Sequence, residues 1–483
     1  MRYFMQYFSF KFAGMVFAFL LLTLSGGCTS PSRDAILTHA DMPEIDRNNG
    51  RLNVFLTLKD VNGPAIRMTV ADIEFLADGV WLPLVNGPVR IDSAELGSGQ
   101  LLLGAEYLPP GRYPNLRMRV INAEVRGSKG EYVPIDQEPL QVEIILSEII
   151  ELEAGDSRCL LLSWDLQESL PQDNVLSPSL VATVPLKQLP IDLVFVSCPE
   201  IDTIFVVSAD KNWVVDSFGL KGSPTYMAVD PNLSSPRLYV LASGERKIKV
   251  VEPQSYRVID FFPTPLNDQP TFMMISQDGR SGYLMDERSG YLSRIDLSNG
   301  QSIARTHLGY RPNYALYLEQ QNLLAVSLAL SQKVVLLDPE NLKVRGTFPT
   351  GSSPQGLAVL FDQLYIAESG DDTVSIVALG GGRGQNRLGV GFGPRRLLIT
   401  ENQIYVSNYL EGSLSVLLPG QLGVVQNIAD VGKPVEMAYD QFYQRLYVAD
   451  EKTGGLTVID VNSNTIIGRI PLGAKPLDLI VVQ

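Results

Sequence analysis

The stretch RLYVADEKTGGLTVID at residues 445–460 decides the fold, because it contains an apolar strand, a polar turn and a second apolar strand. The same pattern recurs upstream as QLYIAESGDDTVSIVA at 363–378 and QIYVSNYLEGSLSVLL at 403–418. Alternating apolar residues bounded by Gly, Asp and Asn are typical of β-strands joined by tight turns. The pattern therefore predicts a repeated array of β-hairpins.

A proline marks the same point of each repeat. The intervals between successive prolines are 46, 42, 42, 40, 40 and 42 residues, for Pro224, Pro270, Pro312, Pro354, Pro394, Pro434 and Pro476. An apolar strand follows each proline, and three more strands precede the next one. Four strands in roughly 40–45 residues are the pattern of a β-propeller blade, so the six intervals predict six blades.

The two ends of the repeat region predict a seventh blade. Only LDLIVVQ, at 477–483, follows the last proline, and this is enough for one strand. Residues 193–224 contain three more strands, so we expect the C-terminal strand to pair with the strand that begins near Leu193. This pairing closes the ring and removes a free sheet edge, through which β proteins aggregate.

The repeats resemble the YVTN family of bacterial and archaeal surface-layer propellers. The resemblance rests on LYV at 446–448, VID at 458–460 and the run NSNTIIGRIPLGAKP that ends at Pro476. It covers about residues 191–483 and implies a seven-bladed propeller. It implies no particular activity, because propellers support many unrelated functions.

Residues 51–190 lack the repeat but keep strand patterning. In RLNVFLTLKDV, at 51–61, alternate apolar residues face polar Asn53, Thr57 and Lys59, and NLRMRV at 115–120 alternates in the same way. One buried and one wet face predict a sandwich of antiparallel sheets, which we expect to have about seven to nine strands. LPPGRY at 108–113 and LLLSWDLQESL at 160–170 resemble an uncharacterised bacterial surface module. This resemblance implies a prealbumin-like or Ig-like fold.

The N-terminus reads as a targeting segment. Basic Arg2 and Lys11 precede the apolar run AGMVFAFLLLTL at 13–24, which is too short to span a bilayer but suits a signal peptide. The sequence SGGC that ends at Cys28 resembles a bacterial lipobox, which implies lipidation of Cys28. Thr29 follows in place of a retention aspartate, which favours the outer membrane. Ordinary secretion, an uncleaved anchor and a cytoplasmic fate are the alternatives.

The predicted organisation has four parts. They are a signal peptide at 1–27, a flexible tether at 28–50, a β-sandwich at 51–190 and a seven-bladed propeller at 191–483 that is closed by the C-terminal strand. The fold class is therefore all-β.

Composition excludes several functions. The chain has a net charge of −14, whereas a nucleic-acid binder has a basic surface, so no nucleic-acid partner is expected. The two histidines, His39 and His307, lie where no shared pocket with a nucleophile is expected, which argues against a catalytic triad. Cys159 and Cys198 could form one disulfide, but the favoured prediction is two separate thiols. No cofactor is predicted.

The candidate binding residues lie near the expected mouth of the central channel. The polar residues that end the second strands of blades are Asp286, Glu368, Asn408 and Asp450. The positions just after the blade prolines add Arg395, Arg396, Glu436 and Asp478, with Tyr226 and Tyr314 nearby. This set forms a solvated rim, a ligand or partner site, or a site for a hard cation. The arginines disfavour a cation, and no metal site is predicted.

We therefore expect a non-catalytic, lipid-anchored protein of the cell envelope, in the outer membrane. Its propeller face is expected to bind a protein or glycan partner. One alternative is a propeller enzyme that resembles lyases and lactonases, with a carboxylate-lined channel mouth. Another is a structural coat protein of the envelope.

Overall fold

The structure, a computed structural model, describes residues 46–170, 175–185, 192–230, 236–265, 270–380 and 385–482. The predicted signal peptide, Cys28 and most of the predicted tether lie outside these residues. The described part is nearly all β, as predicted from the sequence. Its one α-helix is α1 (Ser93–Leu96), and Pro199–Ile201 form a 3-10 turn. Neither described helix is long and apolar enough to cross a membrane.

Nine described strands form two sheets before residue 192, within the predicted number. They are β1 (Gly50–Leu58), β2 (Ile66–Ala77), β3 (Val80–Asp92), β4 (Leu101–Leu108), β5 (Gly111–Arg126), β6 (Tyr132–Pro134), β7 (Leu140–Leu152), β8 (Ser157–Asp165) and β9 (Ser179–Thr183). Sheet A has the order β4-β1-β8-β9, and sheet B has the order β3-β2-β5-β6 with β7 also paired to β5. The two sheets share one core, to which Leu52 and Leu160 of sheet A and Phe75 and Leu116 of sheet B belong.

A buried tyrosine explains the LPPGRY motif. Tyr113 is fully buried in β5, and its hydroxyl donates a 2.5 Å hydrogen bond to the carbonyl of Pro109. Its ring packs edge-on against Phe75, with 6.1 Å between the ring centroids. A tyrosine that bonds back to the chain a few residues upstream fixes the corner between two strands. The motif therefore holds the β4–β5 connection.

We expect Tyr113→Phe to lower the free energy of unfolding by about 1 kcal/mol, because it removes this bond and leaves the Pro109 carbonyl unsatisfied. Tyr310→Phe is the matched control, since the Tyr310 side chain is mostly exposed. Urea unfolding of the two variants measures the difference. Equal midpoints for both variants would argue against a corner role.

The remaining strands form seven four-stranded sheets in the described residues. In chain order, these strands are β10 (Leu193–Cys198), β11 (Thr203–Ser208), β12 (Trp213–Gly219), β13 (Pro224–Val229), β14 (Leu238–Ala242), β15 (Lys247–Glu252), β16 (Arg257–Pro263), β17 (Phe272–Ile275), β18 (Ser281–Asp286), β19 (Tyr291–Asp296), β20 (Ser302–His307), β21 (Pro312–Leu318), β22 (Leu323–Leu328), β23 (Lys333–Leu337) and β24 (Val344–Pro349). The chain continues with β25 (Pro354–Leu360), β26 (Gln363–Glu368), β27 (Thr373–Ala378), β28 (Gln385–Gly389), β29 (Pro394–Ile399), β30 (Ile404–Asn408), β31 (Ser413–Leu417), β32 (Val424–Ile428), β33 (Pro434–Asp440), β34 (Arg445–Asp450), β35 (Gly455–Asp460), β36 (Thr465–Pro471) and β37 (Asp478–Val482).

Each of sheets 2–7 uses four consecutive strands, from β13–β16 to β33–β36. Sheet 1 has the order β12-β11-β10-β37, so the last strand completes the first sheet. The antiparallel pairing of β10 with β37 places Phe195 opposite Ile480, which confirms the predicted pairing of the C-terminal strand with the strand at Leu193.

The first strands of the sheets contact one another in a closed order. This order is β13, β17, β21, β25, β29, β33, β37 and again β13. Apolar side chains pack between neighbouring sheets; Tyr239 of sheet 2, Leu284 of sheet 3 and Val326 of sheet 4 share one core. The first strands therefore surround a central channel.

Sheet A packs against β12, the outer strand of sheet 1. The amide of Gln100 exchanges two hydrogen bonds with the backbone of Val214, at 3.0 and 2.8 Å. Asn53 is buried and donates to the hydroxyl of Ser217 at 3.3 Å. The predicted wet face of β1 is therefore wrong at Asn53, which sheet 1 covers, whereas Thr57 is partly exposed and Lys59, just after the strand, is exposed as predicted. The expected alternation holds in β5, where Leu116 is buried and Arg117 is partly exposed.

Cys159 and Cys198 are both free thiols, as the favoured reading expected. Both are buried in one core that joins sheet A to sheet 1, and burial raises the pKa of each thiol. The predicted boundary between residues 190 and 191 falls outside the described residues, between the end of β9 and the start of β10.

Candidate functional site

Four of the predicted site residues end second strands and are buried there. They are Asp286, Glu368, Asn408 and Asp450. Glu368 is completely enclosed and accepts hydrogen bonds from the backbone N–H of Gly351 at 2.6 Å, from Thr373 at 2.7 Å and from Ser375 at 2.6 Å. Arg387 pairs with it at 3.1 Å. This carboxylate joins the third and fourth strands of sheet 5 to the loop before β25.

The equivalent residues of sheets 6 and 7 are used in the same way. Asp450 accepts from the backbone N–H of Lys433 at 2.7 Å and from the hydroxyl of Thr453 at 2.5 Å. The amide of Asn408 donates to Ser415 at 3.0 Å. These hydrogen bonds lie inside each sheet and its adjoining loops rather than across the channel, although Oδ1 of Asn408 is buried without a partner among the described residues. A binding role for them stays a prediction.

The partners recur at fixed spacing, a signal that reasoning from the sequence missed. A Ser or Thr lies seven residues after each of these four polar residues, and an Arg or Asn lies nineteen residues after it, opposite the Ser or Thr on the fourth strand. The sets are Asp286-Ser293-Arg305, Glu368-Ser375-Arg387, Asn408-Ser415-Asn427 and Asp450-Thr457-Arg469. In sheets 5, 6 and 7 the last two members are hydrogen-bonded. The recurring acidic positions therefore have a structural cause.

A second set of residues faces the channel. The second residue after each repeat proline lies at the same position of a first strand, and these residues are Tyr226, Phe272, Tyr314, Gly356, Arg396, Glu436 and Asp478. Because the first strands contact one another around the ring, these positions form one level of the channel, which we call the channel layer. It contains five of the predicted site residues and brings them together.

Arg396 crosses the channel layer. Its side chain is buried, and Nε pairs with the carboxylate of Glu436 at 2.8 Å. Its terminal N–H donates to the hydroxyl of Tyr226 at 2.9 Å, and its guanidinium lies 4.9 Å from the ring centroid of Tyr314. These partners belong to sheets 7, 2 and 4, so one side chain of sheet 6 links four sheets.

Asp478 adds a second carboxyl group beside this pair. One oxygen accepts from the backbone N–H of Met227 at 2.7 Å. Burial and the nearby charge of Glu436 raise the pKa of Asp478 well above its usual range, although Arg396 opposes this effect. The layer thus has one guanidinium for two carboxyl groups, and charge balance favours a proton on Asp478.

An aromatic arc forms the other side of the channel layer. The ring centroids of Tyr226 and Phe272 are 5.0 Å apart, as are those of Phe272 and Tyr314. Beyond the layer lies a cavity of about 460 Å³, which reaches Ser276 and Gln277 after β17. Gln277 is exposed, so the cavity approaches the surface at the end of the channel where the first strands finish.

A bulge in β29 separates the two adjacent arginines. The pairing with β30 shifts register between Pro394 and Arg396. Arg396 points into the channel layer, whereas the guanidinium of Arg395 lies over the ring of Tyr409 at 5.1 Å. Arg395 is therefore the one residue predicted after a blade proline that does not join the layer.

Phe272 and Gly356 are layer members that reasoning from the sequence missed. The constant distance from the repeat prolines identifies both. A Cβ atom on Gly356 would lie 2.7 Å from the carbonyl oxygen of Arg395, so only glycine permits this approach of β25 to β29.

The chemistry of the layer is that of binding or proton transfer. It offers a guanidinium–carboxylate pair, a carboxyl group with a raised pKa, two phenol hydroxyls and aromatic faces. In the part of the chain that the structure describes, no group of three or more His, Cys, Asp or Glu residues is arranged to hold a metal ion.

No protein-family model matches the chain, and no curated protein matches it. Among solved structures, the chain is similar to a functionally unknown protein from Desulfotomaculum acetoxidans DSM 771, with 13% identity and a TM-score of 0.53 over 60% of this chain and 99% of the other. It is also similar to a protein from Lactobacillus plantarum, with 15% identity and a TM-score of 0.50 over 61% of this chain and 100% of the other.

A third match is dihydro-heme d1 dehydrogenase NirN in complex with DHE, with 14% identity and a TM-score of 0.46 over 60% of this chain and 65% of the other. This score is too low to support an argument about activity. The first two matches concern the fold alone, and they are compatible with the all-β class. The resemblance to YVTN propellers and the expectation of a non-enzyme both stay predictions.

Proposed function

We propose that the seven sheets are blades of a β-propeller at 191–483 and that sheets A and B form a prealbumin-like or Ig-like sandwich at 51–190. The closed order of contacts among first strands and the pairing of β37 with β10 support the propeller. The core that sheets A and B share supports the sandwich. The YVTN-like repeat is consistent with the same architecture.

Two kinds of loop lie at one end of this ring: those before the first strands and those between second and third strands. Arg311, before sheet 4, pairs with Glu287 of the second kind of loop in sheet 3 at 2.7 Å. The backbone N–H of Gly393, before sheet 6, donates to Asp372 of sheet 5 at 2.8 Å. These contacts link neighbouring sheets at the same end, which we call the loop face.

Large apolar side chains are exposed on the loop face of sheets 4 and 6. Each is more than half exposed, and they are Tyr310, Leu330, Phe392 and Leu410. Sheet 5 lies between these sheets and has Ser352 and Gly370 at the corresponding positions. The exposed side chains of sheet 4 form one apolar ridge and those of sheet 6 form a second, and the small residues of sheet 5 lie between the two ridges. Exposed apolar groups held on rigid loops are typical of recognition surfaces.

The protein is, on this proposal, a non-catalytic binding protein whose loop face recognises a protein or glycan partner. The two apolar ridges are the observation that carries it. The sheets supply a rigid scaffold, and the sandwich acts as a spacer or a second binding module.

The test is the double variant Leu330→Asp with Leu410→Asp, used as the full chain to capture partners from an envelope extract. We expect at least about a tenfold loss of the captured partner, as for interface hot spots. The matched control is Phe361→Asp with Phe442→Asp, which changes two exposed apolar residues in turns between first and second strands, at the opposite end. Equal capture by the two double variants contradicts a site on the loop face.

The cell-envelope location depends on Cys28, which we propose as the lipidated residue of an outer-membrane lipoprotein. We expect Cys28→Ser to abolish incorporation of a labelled fatty acid and to leave the leader uncleaved. Metabolic labelling followed by gel analysis measures both. Cys159→Ser is the control, because that thiol is buried and free in the fold. Labelling that persists in the Cys28 variant rules out this anchor.

A second candidate function is a lyase-like or lactonase-like activity in the channel. The raised pKa of Asp478 beside Glu436 favours it, because two carboxyl groups in different protonation states can act as acid and base. A screen of small lactones and esters with the native chain and with Asp478→Asn tests this candidate. Turnover that is lost in the variant supports it, and no turnover by the native chain excludes it for these substrates.

A further inference from the structure

The channel cavity has apolar walls and one polar end. Two residues beyond the channel layer, the first strands contribute apolar side chains that line it, namely Ala228, Met274, Leu316 and Ile480. Its volume of about 460 Å³ is in the range of small-molecule sites, roughly 300–1,000 Å³. The polar end is formed by the channel layer. Such a cavity fits a ligand with an apolar body and a single polar head group.

The ionisable groups that line the polar end are carboxyl groups. Among the described residues that line the cavity, Glu436 and Asp478 are the only Asp, Glu, Lys, Arg or His residues, and both are acidic. Arg396, the nearest cation, is not a lining residue, and its N–H groups donate to Glu436, to Tyr226, to Asn313 and to the carbonyl of Arg395. A bound anion would lie beside two carboxyl groups and find no cation among the lining residues. A bound cation would instead offset the charge of Asp478 once that group is ionised, since Arg396 already pairs with Glu436.

The aromatic arc favours the same class of ligand. Tyr226, Phe272 and Tyr314 all line the cavity, and their contacts place three rings side by side. Arg396 already lies over the ring of Tyr314, so this surface accepts a cation in the structure. Aromatic faces attract cations through the ring quadrupole.

We propose that the channel cavity binds an organic amine, with its ammonium group at Glu436 and Asp478 and its aliphatic or aromatic body along the apolar walls. The site opens at the end opposite the loop face and does not depend on a partner bound there. It adds small-molecule binding to the proposed recognition of a macromolecule.

Binding is also expected to release a proton. The charged groups that face Asp478 are Glu436 of β33 and Arg396 of β29, and the titratable hydroxyls are those of Tyr226 on β13 and Tyr314 on β21. An ammonium group beside Asp478 favours its ionised form. The affinity for amine therefore rises with pH until Asp478 is ionised in the empty cavity.

The first test compares three ligands of one shape by calorimetry with the full chain at neutral pH. These are 3-phenylpropylammonium, the neutral 3-phenyl-1-propanol and the anionic 3-phenylpropanoate, which share a phenyl ring and a three-carbon chain. The amine is expected to bind at least about tenfold more tightly than the alcohol, as a charged hydrogen bond implies, and the acid more weakly than either. Buffers of different ionisation enthalpy report the released proton. An alcohol that binds as tightly as the amine overturns the proposal.

Two variants locate the site. Asp478→Asn is expected to reduce the preference for amine over alcohol at least tenfold and to abolish proton release. Leu316→Trp keeps both carboxyl groups but fills the cavity, so amine binding is expected to be lost while the melting temperature is kept. Asp296→Asn is the control, because this carboxylate accepts from the backbone of Ser298 in an exposed turn. Unchanged amine affinity in Leu316→Trp contradicts the site, even where Asp478→Asn fails to fold.

This outcome is independent of the loop face. The Leu330→Asp and Leu410→Asp chain is expected to keep its amine affinity, and Leu316→Trp is expected to keep partner capture. Failure of one proposal therefore leaves the other standing.

Discussion

Replacing Arg396 with leucine is expected to lower the free energy of unfolding by about 3–5 kcal/mol near neutral pH, the range for one member of a buried ion pair. The variant leaves the carboxyl groups of Glu436 and Asp478 in the channel without the guanidinium. It also removes the donor to Tyr226 and the cation over Tyr314. Urea unfolding of the full chain measures the loss.

Arg395→Leu is the matched control for this variant. It removes the same type of side chain one residue away, but that guanidinium lies over Tyr409 outside the channel layer. We expect a loss of about 1 kcal/mol, as for the cation–π contact of a half-buried arginine. Similar losses for the two variants would mean that Arg396 has no special role.

The loss in Arg396→Leu is expected to shrink as the pH falls. A carboxyl group whose folded-state pKa is raised, as for Asp478, stabilises the fold below its unfolded value of about 4 and loses this contribution as the pH rises through the folded value. Removing Arg396 raises the folded-state pKa of Asp478 further, because the charge of Arg396 opposes that shift in the native chain. The variant should therefore be nearest to the native chain at about pH 5 and furthest from it at about pH 8. A loss that is constant between these values contradicts this explanation.

Removing residues 477–483 is expected to abolish the cooperative fold of the propeller region. The truncation deletes β37, which pairs with β10 and contacts β13 and β33. It opens the ring of first strands, exposes the edge of β10 and removes Asp478 from the channel layer. The combined cost should approach the whole stability of a typical domain, about 5–15 kcal/mol. Circular dichroism and limited proteolysis detect the loss.

A synthetic peptide of residues 474–483 provides the control for the truncation. Added in trans, it should bind the open edge of β10 and restore protease resistance, because it supplies the missing strand. A scrambled peptide of the same composition should not. A truncated chain that unfolds at the native midpoint without any peptide would contradict closure by β37.

The spacing of prolines predicted most of the sheet region. The structure begins the first strands of sheets 2, 4, 5, 6 and 7 at the repeat prolines, and the pairing near Leu193 follows from counting strands at both ends. These predictions succeed because strand alternation and turn residues are local properties. The burial of Asn53 could not be predicted in this way, because sheet 1 covers β1 from more than 100 residues away in sequence.

Local sequence also predicted part of the candidate site. Residue type marked Arg396, Glu436 and Asp478 as polar residues at equivalent positions, and the ring brings them together. Glu368 is equally polar, but its hydrogen bonds go to its own sheet and the loop before it. Whether a polar residue faces the channel depends on the face of the strand from which its side chain projects, and in β29 also on the bulge. Neither can be deduced from composition.

Closure of the ring by the C-terminal strand can be measured directly by cross-linking. In a chain with Cys159→Ala and Cys198→Ala, new cysteines replace Val194 and Val481, which lie opposite each other on β10 and β37. Directly opposed residues have Cβ atoms about 4.5–5.5 Å apart, close to the range in which disulfides form. Val194→Cys with Ile467→Cys, on the outer strand of sheet 7, is the control pair. Mild oxidation should give an intramolecular disulfide, seen by mass spectrometry, in the first pair and not in the control. No disulfide in the first pair, or equal yield in both, would contradict a ring closed by the C-terminal strand.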